Sequence, residues 1–445
     1  MTVFNRQDDF GSWGNVLRAP HQVARPFWRD QLHATALGGH QQGLTLLGAG
    51  LRRSYGDSGL NPEGGIIDMT CVDRILQFDG ARRLLRAEAG LSFNSLLQLI
   101  VRQGFFLPVT PGTRYVTLGG AVANDVHGKN HHRNGSIGRW IRRLSLLRSN
   151  GEELQLSPSE NPELFAATIG GLGLTGLITW VELELTAIDS AMIDAETIPF
   201  EDLNAFFTLS KESEERFDYT VSWIDCLAKG SSIGRGLFSR GNHAVVGSRL
   251  LDRGNTRFSM PFNLPSLAMN RYSISAFNAL YYWNGKRKAG RSRVPLHSFF
   301  YPLDSIGRWN RLYGYKGMFQ YQSVVPPAVQ WDATKEMLTT ISASGQGSFL
   351  AVLKTFGAAK SPGMLSFPTE GTTLALDFPN HGSETLRLME RLDAIVLEAG
   401  GRLYPAKDGR MSAQMFQSGF PAWQEFAKYV DSGFSSHFWQ RVSRI

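Results

Sequence analysis

Three glycine-rich blocks in the first 190 residues constrain the fold more than any other feature of this chain. They read "GAGLRRSYGDSGLN" from residue 48, "PGTRYVTLGGAVANDVHGKNHH" from residue 111 and "IGGLGLTGLI" from residue 169. One such block alone is an ordinary turn, because Gly, Ser, Asp and Asn are turn residues. Three in one domain-sized stretch suit backbone amides gathered around a pyrophosphate and a large planar ring system, since small residues let the backbone approach a ligand. Between the blocks the pattern is α+β. "GGIIDMT", "RRLLRAEAG" and "LTGLITWVELELT" read as strands, "SFNSLLQLIVRQG" and "NPELFAATIG" as short helices, and "IRRLSLLRSNGEELQLS" as a hairpin turning at Asn150-Gly151. No G-x-G-x-x-G opens a βαβ unit, which argues against a Rossmann domain.

A chain of 445 residues exceeds the usual limit of a single core, so two domains are expected. The texture changes near residue 191. From Lys229 to Phe300 twelve Lys or Arg stand against one acid, Asp252, a local balance of +11 in a chain of net charge +7. The same stretch carries many bulky apolar residues, among them Phe262, Phe277, Leu280, Tyr281 and Trp283. That mixture suits an anionic membrane surface or a lipid phosphate; a solvated, poorly ordered insertion has the same composition. No nucleic-acid module is recognisable. The N-terminus lacks the apolar core of a secretory signal, and no run of about 18 apolar residues predicts a membrane-spanning helix. Cys71 and Cys226 are too few for a disulfide framework and read as buried free thiols. Further on, "SFLAVLKTFG" and "TTLALDFP" read as strands. "SETLRLMERLDAIVLEAG" reads as a helix with Ser383 as N-cap. Leu350, Val352, Lys354 and Phe356 share one strand face. A lysine there must be paired, face a cavity or sit on an edge strand.

Among groups that carry chemistry, His127 and His131 have i,i+4 spacing, but Gly128 and Asn130 make a helix poor there and no third ligand is evident, so no metal site is expected. A histidine beside a glycine turn serves better as a neutral base or hydrogen-bond donor. Neither a G-x-S-x-G elbow nor a P-loop is present.

Taken with "FQYQSVVP", "VLKTFG" and "GGRLYPAKDGR", the three blocks resemble the oxidase subunits of decaprenylphosphoryl-β-D-ribose 2-epimerases. That family lies within the vanillyl-alcohol-oxidase superfamily, whose FAD domain is of the p-cresol-methylhydroxylase type. The resemblance implies an FAD domain over 1–190, a substrate domain on an antiparallel sheet over 191–400, with 229–300 mobile, and a segment 401–445 returning to the FAD domain. It implies oxidation of the 2-hydroxyl of a polyprenyl-phosphoryl ribose, a separate short-chain NAD(P)-dependent reductase as partner, and work at an anionic inner-membrane surface, cytoplasmic or peripheral, without nucleic acid. Alternatives are an alditol or aldonolactone oxidase of a soluble sugar, and a flavin-binding scaffold without turnover.

Carried over by position, FAD would contact Gly48, Ala49, Gly50, Leu51, Arg52, Arg53, Ser54, Tyr55, Gly56, Asp57 and Ser58, and then Gly112, Thr117, Leu118, Gly119 and Gly120. Asn124, Asp125, Val126, His127, Ile178 and Tyr404 complete its contacts. The substrate would meet Lys129, Trp223, Gln322, Leu350, Val352, Lys354, Ala375 and Lys407. His127, Lys407 and Tyr55 are the catalytic candidates, with His127 as base before Lys407, or Lys407 stabilising the anionic reduced ring. Two positions depart from the family: Ala375 stands where it carries a cysteine and Thr373 where it carries an asparagine. Arg53 and Tyr55 occupy the part of the first block where other superfamily members tether flavin, so dissociable FAD is expected, with His127 the only rival tether.

Overall fold

The computed structural model describes residues 3–251, 258–265 and 269–444. In its N-terminal region the strands Asn5–Gly11 and Arg18–Ala24 pair antiparallel, and Arg18–Ala24 continues parallel to Gly65–Asp68 and then Leu46–Ala49. Leu46–Ala49 runs directly into the first glycine block, so the sheet anchors the base of that loop. A second, antiparallel sheet has the order Ile75–Asp79, Leu84–Glu88, Leu177–Glu184, Ile141–Leu147, Glu153–Leu156, and its last two strands are the Asn150-Gly151 hairpin. The helix Phe93–Ile100 is capped by Ser92. The second block folds into a short helix, Leu118–Ala123, whose N-cap Thr117 accepts from the Gly120 amide at 3.3 Å.

Period-two alternation organises the second half. Eight antiparallel strands run in the order Gly290–Pro295, Met192–Phe200, Gly236–His243, Tyr219–Ile224, Ala351–Phe356, Gly371–Pro379, Met318–Val325, Arg402–Leu403. Tyr321, Val325, Leu353, Leu374, Leu376 and Phe378 pack beneath the helices Leu203–Ser213, Gln330–Ser344 and Ser383–Glu398. The alternate residues, including Gln320, Gln322, Val352, Lys354 and Ala375, point away from those helices towards the glycine blocks. Ala351–Phe356 is an interior strand, paired on both sides, so Lys354 is no edge-strand lysine.

The chain end packs back on the first region. The Leu46 amide donates to the Gly433 carbonyl at 2.7 Å and the Ser435 amide to the Leu46 carbonyl at 3.0 Å. Asp431 accepts from the Ser149 hydroxyl and pairs with Arg148. The fold is thus mixed α and β around one large antiparallel sheet.

Two local expectations are corrected, at Ser383 and Cys71. Ser383 is the first helical residue and not the cap; the chain turns in at Gly382, φ +67°, while Asn380 and Thr385 side chains accept the Gly382 and His381 amides. Cys226 is buried, but Cys71 is half-buried. Within 229–300 the chain forms the strands Gly236–His243 and Gly290–Pro295 and the helix Arg271–Arg287; residues 252–257 and 266–268 of that stretch lie outside the described residues.

Candidate active site

A cavity of about 570 Å³ separates the glycine blocks from the exposed face of the large sheet. Residues 48–56 and Ser58 line one end with Gly112, Thr117, Gly120, Asn124 and Val126. Gln322, Leu350, Val352, Lys354 and Ala375 line the other, and His127, Lys129, Tyr404 and Lys407 stand between or beside them. Six residues singled out from the sequence are absent from this wall. Leu118 and Gly119 face inward on the short helix, where the Gly119 amide donates to Ala89. Ile178 is buried in the strand paired to Ile141–Leu147. Trp223 packs at a tilt against Tyr281 and donates to the Phe349 carbonyl. Asp57 and Asp125 work behind the loops: Asp57 pairs with Arg441 and His437, and Asp125 accepts from the hydroxyls of Ser136, Ser361 and Ser366 and from the Gly138 amide.

At the glycine end the backbone is arranged as a receptor. The amides of Leu51, Arg52, Arg53 and Ser54 find no acceptor among the described residues. Arg52 is in the left-handed region at φ +52°, which lets successive amides form an anion-holding concavity. The Ser12 and Ser58 hydroxyls on the same wall are buried and have no partner among the described residues. A Cβ on Gly112 would meet nothing within 4 Å, whereas one on Gly56 would collide with the Asp408 carbonyl. The first position opens on the cavity, and the second lets the first block press against the segment that carries Lys407.

At the sheet end the chemistry is cationic. Lys129, Lys354 and Lys407 are half-buried and line the cavity. Burial lowers Lys129 to about 8; burial and the charges of Lys129 and Lys407 lower Lys354 to about 7. The Lys354 ammonium donates to the Gly128 carbonyl at 3.4 Å. Lys407 Nζ sits 4.0 Å from the centre of the Tyr55 ring, and the Tyr55 amide donates to the Ala406 carbonyl at 3.0 Å. His127 is enclosed by Phe356, Phe367 and Tyr404. Burial first, and then Lys354, His131 and Lys407, hold it well below the ordinary histidine range, so it is neutral. Its Nε2 accepts from the Gln322 amide at 2.9 Å, and Gln322 has a second acceptor in Thr373 Oγ1 at 3.3 Å. His127 Nδ1 is buried without a partner among the described residues.

Other parts of the wall lie outside the residues expected from the sequence. Gln320 lies two residues before Gln322 on the same strand face, so alternation could have found it. Leu172 and Gly173 were legible in the third glycine block. Trp13, Leu303, Arg308 and Trp309 carry no local signal. The segment of the last three is tied in place by Asp304, which accepts from Thr113 Oγ1 at 2.7 Å and the Arg114 amide at 2.9 Å.

A cradle of free amides joined to a histidine and lysine pocket fits an FAD-dependent oxidoreductase, and residues 20–157 match the FAD binding domain family. A decaprenylphosphoryl-β-D-ribose oxidase from Mycolicibacterium smegmatis is 37% identical over 412 residues, covering 89% of this chain and 88% of that protein. The chain belongs to the same family of FAD-dependent oxidases, with an FAD-binding domain of the p-cresol-methylhydroxylase type. An uncharacterized Streptomyces coelicolor protein from the mprA 5′ region is 29% identical over 76% of this chain and 94% of its own length. A D-lactate dehydrogenase from Anaerostipes hadrus is 28% identical over 32% of this chain and 30% of its own. The donor set fits the cofactor: free amides and orphaned hydroxyls suit its diphosphate, and the apolar and aromatic walls suit its ring.

Proposed function

We propose that this protein oxidises the 2-hydroxyl of a polyprenyl-phosphoryl-β-D-ribose to the 2-ketone. The observation that carries the reading is the meeting of three lysines and a neutral histidine at one end of the FAD cavity. Residues 48–58, Gly112, 117–120, 124–127, Ile178 and Tyr404 hold FAD without a covalent bond, some through the wall and some, like Asp57 and Asp125, by fixing its backbone. Bound FAD supplies the hydride acceptor. His127 takes the hydroxyl proton at Nε2, and the Gln322 amide then rests on Thr373 instead of being stranded. Lys354 and Lys129 hold the substrate phosphate, for which ammonium groups are point-charge partners. Lys407 offsets negative charge that develops at the reacting end. Ala375 removes the thiol of the family's strand, so cysteine-directed inhibitors should have no target at this position.

Residues 1–190 form the FAD domain, 191–400 the substrate domain, and 401–445 rejoin the first. A short-chain NAD(P)-dependent reductase consumes the ketone and completes a 2-epimerisation to the arabinose donor for cell-envelope glycans. An anionic membrane surface presents the lipid. No helix among the described residues is long and apolar enough to cross a membrane.

The test is anaerobic mixing of holoenzyme with lipid-phosphate pentoses and with free polyols. Bleaching of the flavin band by the lipid-phosphate ribose, at a rate at least tenfold above any free polyol, is expected. Equal rates with a free polyol would make the protein a soluble-sugar oxidase, and no bleaching with any of them would leave a flavin-binding scaffold.

A further inference from the structure

We propose that Asp125 is a positioning residue whose carboxylate clamps the segment 357–367 so that Phe367 closes an apolar cage around His127. Asp125 is fully buried in the second glycine block, two residues before His127. Its Oδ1 accepts from the Gly138 amide at 2.8 Å. Its Oδ2 accepts from the hydroxyls of Ser136 at 2.7 Å, Ser361 at 2.6 Å and Ser366. Ser136 and Gly138 follow the glycine block in sequence. Ser361 and Ser366 lie on the connection between the strands Ala351–Phe356 and Gly371–Pro379 of the large sheet. The approach is close, since a Cβ on Gly138 would come within 2.8 Å of Oδ1. A carboxylate withdrawn from water needs donors at its oxygens. Here four supply it, two from the glycine-block side and two from the sheet connection.

The cage has three aromatic walls, and their anchors differ. Phe356 ends an interior strand, opposite Gly371. Tyr404 is fixed by its amide on the Gln322 carbonyl and its hydroxyl on the Asn124 carbonyl, each at 2.9 Å. Phe367 lies outside any strand; its ring is 5.6 Å from the His127 ring and stacks on Tyr404 at 4.6 Å. Beside it, the Ser366 hydroxyl rests on Asp125 and the Ser366 carbonyl accepts from Arg402 at 3.2 Å. The Met364 amide adds one bond to the Ala166 carbonyl at 3.1 Å. Asp125 therefore acts on His127 through the two serines and Phe367. A displaced Phe367 would admit water to the imidazole, and a hydrated imidazole takes up a proton more readily. The titratable groups facing His127 are His131 from its own block, Lys354 from the sheet, and Lys407 and Tyr404 from the C-terminal segment. The first three repel a proton there, and Tyr404 is neutral because burial pushes its hydroxyl up.

The inference rests on the reading of His127 as base, which the sugar assay tests. The clamp is read without substrate, so the two fail separately. Holoenzyme with ring-labelled histidines is titrated by NMR from pH 5 to 9, with H127Q and H21Q assigning two signals. Wild-type His127 should not titrate in that range. D125N keeps the volume of the side chain but presents a donor to its serines. S361A/S366A removes the two donors of the connection and leaves Ser136 and Gly138 in place. In both variants His127 should titrate within the range, approaching the ordinary value of about 6.5, with flavin still bound. His21 is the control: it is buried, held by the Ala19 carbonyl and the Asn61 amide, and shares no partner with Asp125. Its titration should match the wild type. A His127 signal that stays silent in S361A/S366A overturns the proposal, as does one that already titrates in the wild type. A parallel shift of His21 overturns it too, because the effect is then general loosening. Should D125N fail to fold, S361A/S366A alone decides.

Discussion

Lys354 is an amine held where folding alone would not place one. It projects from an interior strand, and burial with two neighbouring lysines brings it to about 7, against about 10.4 for a free lysine. Between those values the unfolded chain binds more protons than the native one, so stability rises with pH across that window. At neutral pH the penalty is on the order of 1–3 kcal/mol once water in the cavity is allowed for. K354M should therefore raise the urea midpoint at pH 7, and the gain should fade towards pH 10. The same substitution should raise KM for the lipid-phosphate ribose at least tenfold. In the wild type, kcat/KM for that substrate should fall as pH rises through about 7, because the free enzyme then loses the ammonium. A pH-independent stability gain in K354M would place Lys354 in a solvated environment. The lysine's face was legible, since alternation sets it; its cavity was not, because that depends on strands distant in sequence.

The helix Arg271–Arg287 is the element whose pattern runs against its setting. Ile274 and the polar Asn278 face inward, with Asn278 donating to Asp225 at 3.0 Å. Outward stand Tyr272, 82% exposed, Leu280, 61%, and Trp283, 54%. Lys286 and Arg287 close its last turn, and Arg291 is exposed on the next strand. Apolar residues facing solvent under a fringe of cations match an anionic bilayer surface. Holoenzyme should sediment with vesicles containing 30–40% phosphatidylglycerol (roughly a bacterial surface charge) and not with phosphatidylcholine alone. L280S/W283S should lose most of that binding while keeping its flavin. Equal binding to both vesicles would remove charge from the explanation. Composition drew attention to this stretch, but the helix was hidden in it: its apolar residues face water, so the amphipathic signature of a packed helix is inverted.

At the scale of the whole molecule, the last helix, His437–Val442, locks the two loops of the site together. Arg441 pairs with the buried Asp57, two residues beyond Tyr55, and with Asp408, next to Lys407. R441A leaves the buried Asp57 carboxylate with only His437 and should cost about 3 kcal/mol. It should also lose flavin on gel filtration faster than the wild type, since the loop that carries the free amides is held by Asp57. Flavin that stays with acid-precipitated protein would refute a dissociable cofactor, and unchanged retention in R441A would separate the clamp from the cofactor site. The sequence by itself determined the glycine loops, the strands between them and the residues that share each strand face, because these are local consequences of side-chain size and backbone period. Only the tertiary structure decided that His127, Lys354 and Lys407 meet in one cavity and that Arg441 ties the loops. Those contacts join residues up to 384 apart in the chain, and no local pattern encodes which distant strand becomes a neighbour.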